Sequence, residues 1–196
     1  MSDAPSTRHL ALARKAVNGF GFAGDPVVVR YWDDQRVGAI DILSVRGKPA
    51  AGITSYSTIG LSDHAVVKDG KPFPLRFEFL GACGADYPDF ANALSTAAFC
   101  VINSKWFCAP GMIFPDILEM HRLSSTLSDL YFVPPFLWNG SFDSELIEGI
   151  KTAWLLAVPI SKAETEFARK YGPAELEKKL EESRIDMFDL QRLSVI

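Results

Sequence analysis

No two of the three cysteines, Cys83, Cys100 and Cys108, stand in a CxxC pair. Thiol redox motifs and most zinc sites need that spacing, so neither chemistry is expected there. Their apolar settings, "AAFCVIN" and "KWFCAP", predict buried, reduced thiols. The three histidines, His9, His64 and His121, lie far apart, and no HExxH pattern occurs, which leaves no helical metal motif. No phosphate-binding P-loop occurs either. The run "GFGFAG" at 19–24 precedes a strand-like stretch instead of following one, so it fails the test for a dinucleotide site. No cofactor and no metal are expected.

Basic charge is scarce as well. Twenty Lys and Arg stand against 24 Asp and Glu, for a formal charge of −4, which argues against nucleic acid as the partner. No apolar run approaches the length that spans a bilayer. The opening "MSDAPSTRHLALARKAVNGFG" is polar and then amphipathic, which predicts no secretory leader. A soluble, cytoplasmic protein without membrane contact is the expectation.

What is present is an ordinary globular composition, 48% hydrophobic and 22% charged over 196 residues. That is enough for one sizeable core, and 1–196 reads as a single domain. Ser6 or Thr7 is placed to cap a helix through about Val17, with Leu10, Ala13, Arg14 and Val17 on one stripe. "VVVRYW", "GAIDILSV" and "AAGITSYSTIGL" read as strands. Asp69-Gly70 signals a hairpin. Leu75, Phe77 and Phe79 alternate with Arg76, Glu78 and Leu80, which predicts a half-buried strand. "YPDFANALSTAAFCVINS" switches to helical spacing, with Pro88 in its first turn and Phe90, Leu94, Ala97 and Val101 inward. From 109 to 150, prolines, glycines and aromatics predict short strands and turns. "TAWLLAVP" reads as a strand covered on both faces and ended by Pro159. Ser161 and Glu164 form a capping box, and Gly172-Pro173 divides two closing helices. The fold class that follows is α+β.

One stretch raises a chemical question. In "TSYSTIGLSDHAV", Ser62, Asp63 and His64 are the residue types of a hydrolytic triad. On an extended strand Asp63 points away from its neighbours, and Ser62 and His64 sit about 6.5–7 Å apart at the backbone. A nucleophile and its base need to approach within about 3 Å. The segment also lacks the second glycine of a G-x-S-x-G elbow. The plainer reading is a turn after Gly60, with Ser62 and Asp63 capping backbone groups and His64 opening the next strand. A small hydrolase using Ser62 and His64 is the rival reading.

The same stretch carries a resemblance. "YSTIGLSDH", then "LRFEFLGAC", "FPDIL", "YFVPPF", "WLLAVPISKAETEFARKYGPAELEKKLEE" and a closing "DLQRLSV" resemble the Suppressor of fused family. Tyr56, Thr58, Gly60, Leu61 and Ser62 match its tyrosine–threonine–x–glycine–leucine–serine segment. Glu78 matches the acidic position of the following strand, and Pro159, Ile160 and Glu164 match the late proline–isoleucine segment. The likeness runs from about Ala51 to the C-terminus. It implies a mixed, largely antiparallel sheet packed by helices, and a binding protein without catalysis. Animal members of the family hold transcription factors of the Gli type. Bacterial stand-alone members are thought to serve largely as immunity proteins, neutralising toxins of polymorphic toxin systems. At this length the chain is expected to lack the second domain of the animal proteins, so the bacterial role is the one the resemblance implies.

Charge points to the kind of partner. Between Ala85 and Gly149 stand eight acidic residues, Asp86, Asp89, Asp116, Glu119, Asp129, Asp143, Glu145 and Glu148, against Lys105 and Arg122. Aromatics share the region, among them Trp106, Phe136 and Trp138. Acids speed capture of a basic protein, and a buried aromatic slows its release. The expected interface is therefore Asp116, Glu119, Asp143, Glu145 and Glu148 around an exposed Trp138, facing a basic toxin domain. The plainer alternative is a set of core aromatics beneath a solvated acidic surface.

Overall fold

The computed structural model describes residues 4–196. Helix α1 spans Thr7–Gly19, and Ser6 caps it by accepting the His9 backbone N–H at 3.1 Å. Strands β1 (Val27–Trp32), β2 (Ala39–Arg46) and β3 (Ile53–Ile59) form an antiparallel meander. A single 3₁₀ turn, Leu61–Asp63, follows β3. Asp69 and Gly70, both at positive φ, turn a small ribbon of β4 (Val67–Lys68) and β5 (Lys71–Pro72). Then come β6 (Arg76–Gly84), α2 (Phe90–Ile102), β7 (Ile113–Phe114), α3 (Ile117–Met120), β8 (Asp129–Val133), β9 (Glu145–Ile147) and β10 (Ile150–Ile160). Helices α4 (Lys162–Tyr171) and α5 (Pro173–Glu182) close the chain.

The main sheet is mixed and runs β1-β2-β3-β6-β10-β8-β7, with β9 also paired to β10. Only β6 and β10 pair in parallel among the described residues. Alternation splits the side chains of the sheet into two cores. Phe77, Phe79, Leu155 and Ala157 pack beneath α2. Leu80, Ala82, Trp154, Leu156 and Val158 face α1, α4 and α5. The strand β6 is thus buried on both faces, not half-buried, because α1 and the turn at 61–63 cover the side carrying Glu78 and Leu80. The approach of α2 is close. A Cβ at Gly81 would lie 2.5 Å from the Phe90 ring, so only glycine fits beneath it.

Three details depart from the sequence expectations. The inward stripe of α1 is Arg8, Leu12 and Ala16, while Leu10 faces out. Helix α2 begins after Asp89, so Pro88 precedes its first turn. Strand β10 continues one residue past Pro159. The last departure has a simple cause. Ile160 turns its carbonyl to Ser128, beside β8, so Pro159 faces the other way, beyond the end of the β6 pairing. No ladder N–H is needed there, and the Pro159 carbonyl is taken by Arg192 Nη2 at 3.0 Å.

The capping box at α4 is complete, with Glu164 N–H donating to Ser161 Oγ at 3.1 Å and Ser161 N–H to Glu164 Oε2 at 2.8 Å. Glu164 is fully buried and also accepts from Arg192 Nη1 and Nη2 and from Val195 N–H. Burial opposes its charge, but these donors outweigh burial and hold its carboxyl below the usual range. Replacing Arg192 by Ala strands a buried carboxylate and is expected to cost about 3–5 kcal/mol in chemical denaturation. Ser161→Ala removes one cap bond and should cost about 0.5–2 kcal/mol. A smaller loss for Arg192→Ala than for Ser161→Ala would contradict this ranking.

Candidate functional site

Gly60 enters the 3₁₀ turn at φ 101°, ψ −2°, a left-handed conformation that suits glycine. A Cβ at this position would sit 2.8 Å from the His9 ring. The turn is wound around one carboxylate, that of Glu78, which is fully buried. Its oxygens accept from Thr58 Oγ1 (2.5 Å), Gly60 N (3.1 Å), Leu61 N (3.3 Å), Ser62 N (2.9 Å) and Ser62 Oγ (2.6 Å). Burial still drives the Glu78 pKa above the ordinary carboxylate range, against the pull of the Ser62 and Thr58 bonds.

Arg8, which the hydrophobic pattern of α1 did not reveal, extends this network. It donates to Ser62 Oγ (2.5 Å), Thr152 Oγ1 (3.0 Å), Asp63 Oδ1 (2.8 Å) and the Ile147 carbonyl. One guanidinium therefore ties α1 to the turn, to β10 and to β9. In the sequence Arg8 stands four residues before Leu12, on the stripe that the structure turns inward, but its partners lie more than fifty residues away along the chain.

These contacts answer the triad question. Ser62 is fully buried, its hydroxyl donates a hydrogen bond to Glu78 Oε1, and its oxygen accepts from Arg8. It is not a nucleophile poised on a base. Residues 60–64 form a turn, not a strand, and His64 ends it three residues before β4. Burial lowers the His64 pKa. Asp63 does not cap backbone groups with its side chain; it bridges Arg8 and His9, with His9 Nε2 at 2.7 Å. Tyr56 and Leu61, also in the resembling segment, are buried in the α2-side core.

The predicted acidic patch is divided. Asp116 and Glu119 pair with Lys162, at 3.3 and 2.6 Å. Glu145 pairs with Lys15 at 2.7 Å, and Glu148 forms the exposed β9–β10 turn with Gly149. Glu145 sits opposite Thr152, and Asp129, which accepts from Asp116 N–H, sits opposite Ile160. Eight residues of strand separate those positions, about 26 Å. Asp129 itself is buried and accepts from Thr165, so it adds nothing to a surface. Asp143 is exposed.

Trp138 is not an exposed anchor. It is 5% exposed and packs against the rings of Phe20 and Phe142, because α1 and the 138–142 turn close over it. Phe136, two residues earlier, is 60% exposed. It stands at the mouth of a groove of about 550 Å³ between β8 and α5. At the opposite edge, β1 exposes Val27, Val28, Val29 and Trp32.

Buried Cys83 and Cys108 have thiol pKa values pushed up to about 12 by burial, and all three cysteines are free. No group of three potential metal ligands occurs among the described residues. Nor is any helix among them long and apolar enough to cross a membrane.

The family model for Suppressor of fused protein matches residues 37–193. The chain belongs to the Suppressor of fused family. The match begins before the segments that carried the resemblance and takes in β2. Immunity protein YqcF of Bacillus subtilis (strain 168) is 44% identical over 187 residues, covering 94% of this chain and 95% of that protein. A putative Suppressor of fused homolog from Neisseria gonorrhoeae FA 1090 superposes with a TM-score of 0.66 at 16% identity, over 96% of this chain and 95% of that one. A chain of the Sufu–Fu complex superposes with a TM-score of 0.68 at 15% identity, over 98% and 93%. At such identities the two structures speak for the fold. In this Suppressor of fused domain, the motif residues Tyr56, Gly60, Leu61, Ser62, Glu78, Pro159 and Glu164 are all parts of cores, turns or buried clasps.

Two predictions follow from the turn. Gly60→Val forces a β-branched residue into left-handed backbone against His9, and should lower stability by more than about 1 kcal/mol. An unchanged melting temperature would contradict it. The second concerns pH. The hydrogen bond with Asp63 raises the His9 pKa above 6.5, and bonds from His9 and then Arg8 hold Asp63 below 3.8. The His9 contribution is complete below its unfolded pKa and fades as pH rises through its raised folded value. The Asp63 contribution is complete above its unfolded pKa and fades as pH falls through its depressed folded value. The stability gap between the wild type and His9→Ala should therefore peak between about pH 4 and 6.5 and shrink on either side. A gap that does not vary with pH would show that the pair contributes no charge-dependent stability.

Proposed function

We propose that this chain is an immunity protein: a cytoplasmic domain, 1–196, that binds and neutralises a protein toxin without catalysis. The observation that carries the reading is the 44% identity to Immunity protein YqcF over nearly the full length of both chains. The commitment of Ser62 to Glu78 and Arg8 supports it, since that removes the nucleophile of the rival hydrolase. The partner is a basic toxin domain. Asp116, Glu119, Asp143, Glu145 and Glu148 act on it through their summed field, from two ends of the molecule, and not as one contact. Such a field raises the association rate and is screened by salt.

The test is co-expression with a cognate toxin domain, followed by binding kinetics on the purified pair. The chain should restore growth. Neutralising the five carboxylates should slow association and flatten its salt dependence, with dissociation little changed. Growth arrest despite well-folded chain would overturn the reading.

A further inference from the structure

We propose that the groove between β8 and α5 is a docking site for a basic amphipathic segment of a protein partner, anchored on Phe136. Tyr131, Val133 and Val158 form its floor, and Leu180 and Met187 form its wall. At about 550 Å³ it accommodates a few side chains of an incoming segment. Phe136 follows Pro134-Pro135, which restrict the backbone, so a large ring is held outward at the mouth at little entropic cost.

The charge at the rim names the occupant. Glu177 and Glu181 both line the groove, against Arg184. Tyr131 Oη donates to Glu177 Oε1 at 2.6 Å, which fixes that side chain on the rim. From 175 to 189 there are six acids, Glu175, Glu177, Glu181, Glu182, Asp186 and Asp189, against Lys178, Lys179 and Arg184. Glu177 and Glu181 lie one helical turn apart, about 5–6 Å. The matching segment carries two cations at that spacing beside apolar residues that fill the groove over Phe136. An acidic or wholly polar segment would leave the floor unfilled and meet like charge.

The occupant in the cell rests on the toxin-binding reading, and the groove is tested apart from it. The probe is a synthetic amphipathic helix of about 16 residues, leucine on one face and lysine on the other, with a glutamate-for-lysine twin. Fluorescence anisotropy with the purified chain reads binding. The lysine peptide should bind more than about tenfold more tightly than its twin. Phe136→Asp should abolish binding. That variant adds negative charge at an exposed position, so attraction by charge alone would make it bind better. Glu181→Lys should weaken binding, and Val28→Pro on the open edge of β1 should leave it unchanged. Binding that survives Phe136→Asp, equal binding of the twins, or no binding of either would overturn the proposal. Loss on Val28→Pro with Phe136→Asp unaffected would move the site to the β1 edge. Failure of the chain to neutralise the toxin, with the peptide result intact, would count against the toxin reading alone.

Discussion

Glu78 lies in the centre of the sheet with its carboxylate out of water, and five donors converge on it. A buried carboxylate without such partners would be destabilising by several kcal/mol. The sequence around it meets that demand. Gly60 turns the chain back over β6, which brings three backbone N–H groups and the Ser62 hydroxyl onto the carboxylate. Ser62 then passes the polar network to Arg8, and Arg8 joins α1 to β9 and β10. The α1-side core depends on that attachment, because Leu12 and Ala16 are pressed onto the sheet by the same helix.

Glu164 and Arg192 do the equivalent work at the other end of the fold. Arg192 holds the cap of α4, the free carbonyl of Pro159 and the closing segment together. Both clasps lie inside, and both take up residue types that on a surface would suggest chemistry. The outer features that remain are apolar or charged: the β1 edge, the β8–α5 groove with Phe136, and acids spread over both ends of β10. These are the surfaces left open to contact with another protein.

Much of this was legible in the sequence. The capping box at Ser161 and Glu164, the Asp69-Gly70 turn, the doubly covered β10 and the α+β class each rest on local chemistry, and local chemistry is what a sequence displays. The order and spacing of the family segments picked out Gly60, Ser62 and Glu78, but not that they meet. Long-range polar partners were not legible. Nothing in the residues near Arg8 says that Ser62 and Thr152 await it, and a charged residue on an apolar stripe reads as a flaw in the stripe. Trp138 misled for a related reason. An Asn-Gly turn beside a tryptophan suggests exposure, but the 138–142 turn folds inward onto Phe20. The acidic run from 85 to 149 is contiguous in charge along the chain and not in space, since β10 sets its parts far apart.

The central claim is that the Ser-Asp-His stretch is a buried clasp on Glu78 and not a working site. Native-state hydrogen exchange at the amides of Gly60 and Ser62 tests it most directly. The account predicts that both exchange only when the whole domain unfolds, with protection equal to that of the central amides of β6 and β10. Exchange through a low-energy local opening, with the sheet still protected, would contradict it.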